Sequence, residues 1–102
     1  MPVSYTLEGR EMVARLTGEV DHHGAREIMT GLDRAIADAL PTRLVLDLSG
    51  VTFMDSSGIA VLIRAKHRMD ALGGRLRVTA IPVQPRRVLD AAGLGRIIAL
   101  ES

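Results

Sequence analysis

Asp55-Ser56-Ser57-Gly58 is the segment whose residue types and order point most directly to chemistry. It stands where a strand-to-helix turn is expected to become the first turn of a helix. A helix start carries unpaired N–H groups and the positive end of the helix dipole. A serine hydroxyl there is exposed, and a phosphate on it would be partly stabilised by those N–H groups. Gly58 has no side chain to block an approaching partner. The same residues also have a plainer use, with Asp55 or Ser56 as the N-cap and Ser57 as first-turn filler. Spacing alone leaves both readings open.

Asp21-His22-His23 is the second segment of interest. Asp21 precedes a long helical pattern and would cap it well. The paired histidines invite a metal reading, but adjacent residues diverge on a helix and His67 is far away in sequence. Surface histidines are expected, with no metal site. There is no Gly-x-Ser-x-Gly elbow and no glycine-rich phosphate loop ending in Lys-Ser or Lys-Thr. Nothing pairs a nucleophile with a base, so no catalysis and no cofactor are expected. Arg64, Lys66 and Arg68 read as the solvated face of a helix, with Arg75, Arg86 and Arg87 extending the basic character on either side.

These loops need a scaffold, and the periodicity of the chain supplies one. Val3 to Leu7 and Met12 to Leu16 alternate in part every second residue around Gly9, as a hairpin does. Ala25, Ile28, Met29, Leu32, Ala35, Ile36, Ala39 and Leu40 then follow three-and-four spacing, an amphipathic helix stopped by Pro41. Leu44 to Leu48 is a nearly continuous apolar run, the pattern of a buried strand. A second helix runs through Ile59, Leu62, Ile63, Met69 and Leu72 to Gly73-Gly74. Leu76, Val78 and Ala80 alternate as a strand, Pro85 opens a short third helix stopped by Gly93, and Ile97 to Leu100 is a last strand.

Strands alternating with helices define the α/β class. A mixed, mostly parallel sheet of four to five strands is expected, with an N-terminal antiparallel hairpin and about three main helices. Right-handed crossovers gather the strand-to-helix loops at the carboxyl ends of the parallel strands. Those loops are expected at Gly18 to His23, Gly50 to Ser57 and Ile81 to Gln84.

The whole chain has 102 residues, enough for a single domain, 1–102, and no more. Its aromatic content is 2%, so the core must be aliphatic, and a surface that stacks bases on aromatic platforms is excluded. Thirteen basic residues oppose twelve acidic ones, too even a balance for a nucleic-acid binder. The absence of cysteine removes disulfides, thiolate zinc sites and cysteine nucleophiles. Met1 to Tyr5 lacks the pattern of a signal peptide, and no apolar run approaches the roughly 18 residues that cross a bilayer. A cytoplasmic monomer with no membrane contact is the expectation.

Leu16 to His23, with its Gly18-Glu19-Val20-Asp21 core, together with Phe53 to Ile59 around Asp55-Ser56-Ser57-Gly58, resembles the bacterial anti-sigma factor antagonists. These are single-domain STAS proteins, and the chain is most similar to the sporulation type. The resemblance runs nearly end to end, through Leu44 to Leu48, Leu72-Gly73-Gly74, Pro85 to Leu89 and Gly93-Leu94. It implies that Ser56 is phosphorylated by a partner anti-sigma factor, itself a serine kinase of the GHKL ATPase type. Unphosphorylated, such a domain binds the kinase and frees the sigma factor; a serine phosphatase later restores it. Asp21 matches a family aspartate that supports partner binding and phosphorylation, and Asp55, Ser57 and Gly58 match the acceptor's surroundings. Gly24 departs from the family, standing where a hydroxyl residue is common, and Ile59-Ala60 replaces a more frequent Leu-Gly. Two other readings are a STAS signalling or scaffold module outside sigma control and a phospho-aspartate receiver using Asp55. The receiver lacks its lysine, since the only lysine, Lys66, falls inside a helix.

Overall fold

The computed structural model describes residues 2–101; Met1 and Ser102, the ends of the expected domain, lie outside the described residues. The hairpin forms from β1 (Val3–Glu8) and β2 (Glu11–Val20), paired antiparallel from Val3↔Leu16 to Glu8↔Glu11. Three strand–helix units follow: α1 (His22–Ala39) leads to β3 (Arg43–Met54), α2 (Ser57–Ala71) to β4 (Arg75–Thr79), and α3 (Val83–Ala91) to β5 (Ala99–Leu100). The five strands lie in sequence order, β1-β2-β3-β4-β5, and every pair after the hairpin is parallel. Each crossover therefore steps one strand further the same way, and a right-handed connection at each step puts the helices on one face.

The core beneath those helices is aliphatic, as the composition requires. Leu16, Ile28, Leu44, Leu46, Leu48, Met54, Leu62, Met69 and Leu89 are its largest fully buried side chains, whereas Phe53 is 42% exposed. Ala25, Ile28, Leu32 and Ile36 form the buried stripe of α1, and Val61, Leu62, Ala65 and Met69 that of α2. Asp33 joins the two helices. It accepts hydrogen bonds from Arg64 at 2.6 and 2.9 Å and from Arg68 at 3.2 Å. Two of the three cations assigned to a solvated face thus clamp α2 to α1, while Lys66 pairs with Asp70 one turn along α2.

Four element boundaries differ from the sequence expectation. The central strand does not stop near Leu48 but continues to Met54, and β2 continues to Val20, so most of the expected loop at 50–57 and half of that at 18–23 are strand. The cause is two bulges. Pairing steps from Arg15↔Asp47 to Thr17↔Gly50 and from Gly18↔Val51 to Glu19↔Phe53, each time with one extra residue in β3. Gly18, at φ +83°, takes a backbone conformation that disfavours a side chain. The bulges reset which residues face inward, so Leu48, Val51 and Met54 are buried at every third position. The third helix opens at Val83 behind Pro82, two residues before Pro85. The last strand is only Ala99–Leu100, because Leu94–Arg96 forms a 3-10 turn.

Candidate functional site

β2 and β3 end side by side, Val20 paired with Met54, and each is followed at once by an aspartate and a helix. Asp21 leaves β2 and caps α1: its Oδ1 accepts from the Gly24 N–H at 2.8 Å. Asp55 leaves β3, donates its N–H to the Val20 C=O at 3.2 Å, and accepts from the Ser57 N–H at 2.7 Å. Two helix N-termini and two carboxylates thereby converge at one end of the sheet. The capping use of both aspartates is real, and it is what brings them together.

Ser56 sits between these devices. It is exposed, holds an αR backbone at φ −62° and ψ −17°, and its hydroxyl makes no capping bond. Asp55 does the capping from one residue earlier, which leaves the Ser56 hydroxyl free. Ser57 is half-buried as the first residue of α2. The N–H groups expected to face a phosphate are mostly engaged: Ser57 with Asp55 Oδ1, Gly58 with the Asp55 C=O at 3.0 Å, and Ile59 with the Ser56 C=O at 3.1 Å. What remains for an anion at Ser56 is chiefly the dipole of α2.

Gly58 has a different use from the one its spacing suggested. It is buried, and a Cβ there would overlap the Met54 side chain. The glycine admits Met54 beneath the turn rather than a partner above it. Gly24 is only half-buried, but a Cβ there would overlap the Glu19 C=O.

Gln84, on α3, is the residue that sequence reasoning missed. Its Nε2 donates to the Met54 C=O at 2.7 Å and its Oε1 accepts from the Met54 N–H at 2.8 Å. Its only sequence signal was its position beyond a parallel strand, in the expected loop Ile81 to Gln84. The histidines are exposed as expected, and His23 lies 3.0 Å from Glu27. Among the described residues no three His, Asp or Glu side chains gather as a metal site. The carboxylate of Asp55 is tied to Ser57 and Lys66 to Asp70, so neither takes the place a receiver would need. No helix of the described residues is long and apolar enough to cross a membrane.

A five-stranded mixed sheet with an antiparallel opening hairpin and three main helices is the arrangement of a STAS domain, and the STAS domain family model matches residues 2–102. The chain belongs to this family, within it to the anti-sigma factor antagonists. An anti-sigma F factor antagonist of Lysinibacillus sphaericus is 33% identical over 84 residues, 82% of this chain and 72% of that protein. A second, from Paenibacillus polymyxa, is 33% identical over 87% of this chain and 76% of its own length. Among solved structures, the antagonist SpoIIAA in its unphosphorylated form superposes with a TM-score of 0.82 at 27% identity, covering 98% of this chain and 88% of that one. The phosphorylated form of the Bacillus SpoIIAA gives 0.73 at 27% identity, over 98% and 91% of the two chains.

Proposed function

We propose that this protein is a phosphorylation-switched antagonist that binds an anti-sigma factor serine kinase of the GHKL ATPase type and thereby releases a sigma factor. Ser56 is the phosphoacceptor, and a serine phosphatase returns the protein to its binding form. The observation that carries this reading is the free, exposed hydroxyl of Ser56 beside two helix-capping carboxylates, in the turn of a fold whose relatives include a phosphorylated antagonist.

The chemistry is supplied by the partner. This chain offers an exposed nucleophilic oxygen on a tied-down turn, and Asp21 and Asp55, held by their caps, give the approach to it a negative field. A phosphate adds about −1.5 to −2 charges at neutral pH and three acceptor oxygens. Facing those carboxylates inside a closed interface, it carries a desolvation cost that an exposed phosphate does not. Phosphorylation therefore expels the partner while leaving the domain intact.

The test is phosphotransfer from ATP with an extract of the cells that make the protein, followed by mass mapping. Phosphate is expected on Ser56 and absent from Ser56→Ala, which still captures the kinase; Ser56→Asp binds it more weakly. Stoichiometric phosphate on Ser56→Ala refutes the assignment.

A further inference from the structure

β3 outruns its neighbour. Its last register pair with β4 is Asp47↔Thr79, yet on the other side it stays paired with β2 as far as Val20↔Met54. Along a strand, the N–H and C=O of one residue point to the same side, and successive residues alternate between the two sides. The Asp55 N–H turns toward Val20, so Met54 directs its own N–H and C=O to the side where β4 has already ended. Met54 is 1% exposed, and buried peptide groups left without partners are costly. The carboxamide of Gln84 meets both, at 2.8 and 2.7 Å.

We propose that Gln84 is a positioning residue for the phosphoacceptor turn: its side-chain amide stands in for the missing strand beside Met54 and so fixes the direction in which Asp55 and Ser56 leave the sheet. The inference rests on the reading of Ser56 above and adds how that serine is aimed. A carboxamide carries one donor and one acceptor side by side, as a strand edge does. Glutamate at neutral pH keeps the acceptor but offers no donor, leucine offers neither, and asparagine is one methylene shorter on the same backbone. The carrier is itself rigid, since Gln84 lies in the first turn of α3, where the Arg86 N–H bonds to the Pro82 C=O at 3.0 Å. Gly58 lets the Met54 side chain pack close beneath the turn, so Met54 is gripped by side chain and backbone together.

Two measurements on the full chain test this. In the first, amide exchange is compared between wild type and Gln84→Leu. Loss of its hydrogen bond is expected to speed exchange of the Met54 N–H roughly three- to tenfold, and Gln84→Glu, which keeps the acceptor, retains most of the protection. An unchanged Met54 rate in Gln84→Leu overturns the proposal. In the second, phosphate transfer to Ser56 is followed with ATP and the kinase fraction of the native cells. Because the protein is the substrate, partial unfolding lowers its effective concentration and raises KM alone, whereas a misaimed hydroxyl lowers kcat. A fall in kcat of about ten- to a hundredfold in Gln84→Leu, with Gln84→Glu between the two, supports positioning. A raised KM at unchanged kcat means a merely structural role and overturns it. If wild type takes no phosphate on Ser56, the functional reading fails with the transfer half of the proposal, and the exchange result still decides whether Gln84 holds the turn.

Discussion

Asp21 and Asp55 occupy equivalent positions at the ends of neighbouring strands, and each binds a backbone N–H two or three residues ahead. Losing such a cap costs about 1 kcal/mol. Asp55→Ala is therefore expected to lower unfolding free energy by about 1 kcal/mol in denaturant titrations. Asp55→Asn, which caps as well, should lose little stability while removing a charge beside Ser56, separating the capping role of Asp55 from its electrostatic one. A phosphate on Ser56 gains about 0.3–1 kcal/mol from the dipole. Against that, a carboxylate about 4 Å away would oppose each unit of the phosphate's charge by about 1 kcal/mol in water. At this scale the sequence was informative wherever the interaction is local. Asp-Ser-Ser-Gly and Asp21 were legible because a cap reaches only two or three residues along the chain. Gln84 was not, since its partner lies 30 residues away, at a strand end no local pattern announces.

At the scale of elements, the hairpin, the three helices and the succession of elements along the chain followed from a change between every-second-residue and three-and-four spacing. The second half of β3 did not, because the bulges turn a period of two into Leu48, Val51 and Met54, which matches neither strand nor helix. The α1–α2 clamp was equally hidden, as Arg64 and Arg68 look solvated until α1 brings Asp33 to them. Desolvation raises the pKa of Asp33, but the hydrogen bonds and charges of Arg64 and Arg68 together outweigh it and hold the carboxyl below its ordinary value of 3.8. A depressed carboxylate pKa contributes stability above the unfolded value, and that contribution is lost as pH falls through the folded one. Both arginines are about half exposed, so the effect is partly screened. Asp33→Asn should therefore lower Tm modestly at neutral pH, with the gap to wild type closing as pH falls through and below the ordinary carboxylate range. A gap that stays constant across that range would show that Asp33 acts through packing alone.

For the whole molecule, the question is whether phosphorylation needs a change of shape. The Cα radius of gyration is 12.1 Å, close to the roughly 13 Å of a compact chain of this length, and one aliphatic core lies under all three helices. Such cores are close-packed and do not deform gradually. Ser56 stands outside that core, on a turn tied to β2 through Val20, to α3 through Gln84 and to α2 through Gly58. A phosphate there disturbs the Asp55–Ser57 bond first, because its oxygens compete with the Asp55 carboxylate for the Ser57 N–H. The bulk of the sheet is insulated by the bonds behind that turn. Amide spectra of the two forms are therefore expected to differ at Gly18 to Asp21, Met54 to Ile59 and Val83 to Gln84, and to coincide at β1 and the last turn of α1. The phosphorylated protein should unfold in the same single transition, with its Tm moved by no more than about 8 °C, since about 1 kcal/mol corresponds to about 4–8 °C in a domain of this size. Shifts spread through β1 and the far end of α1 would mean that the switch works by repacking the domain, and local electrostatics at Ser56 would then be the wrong account.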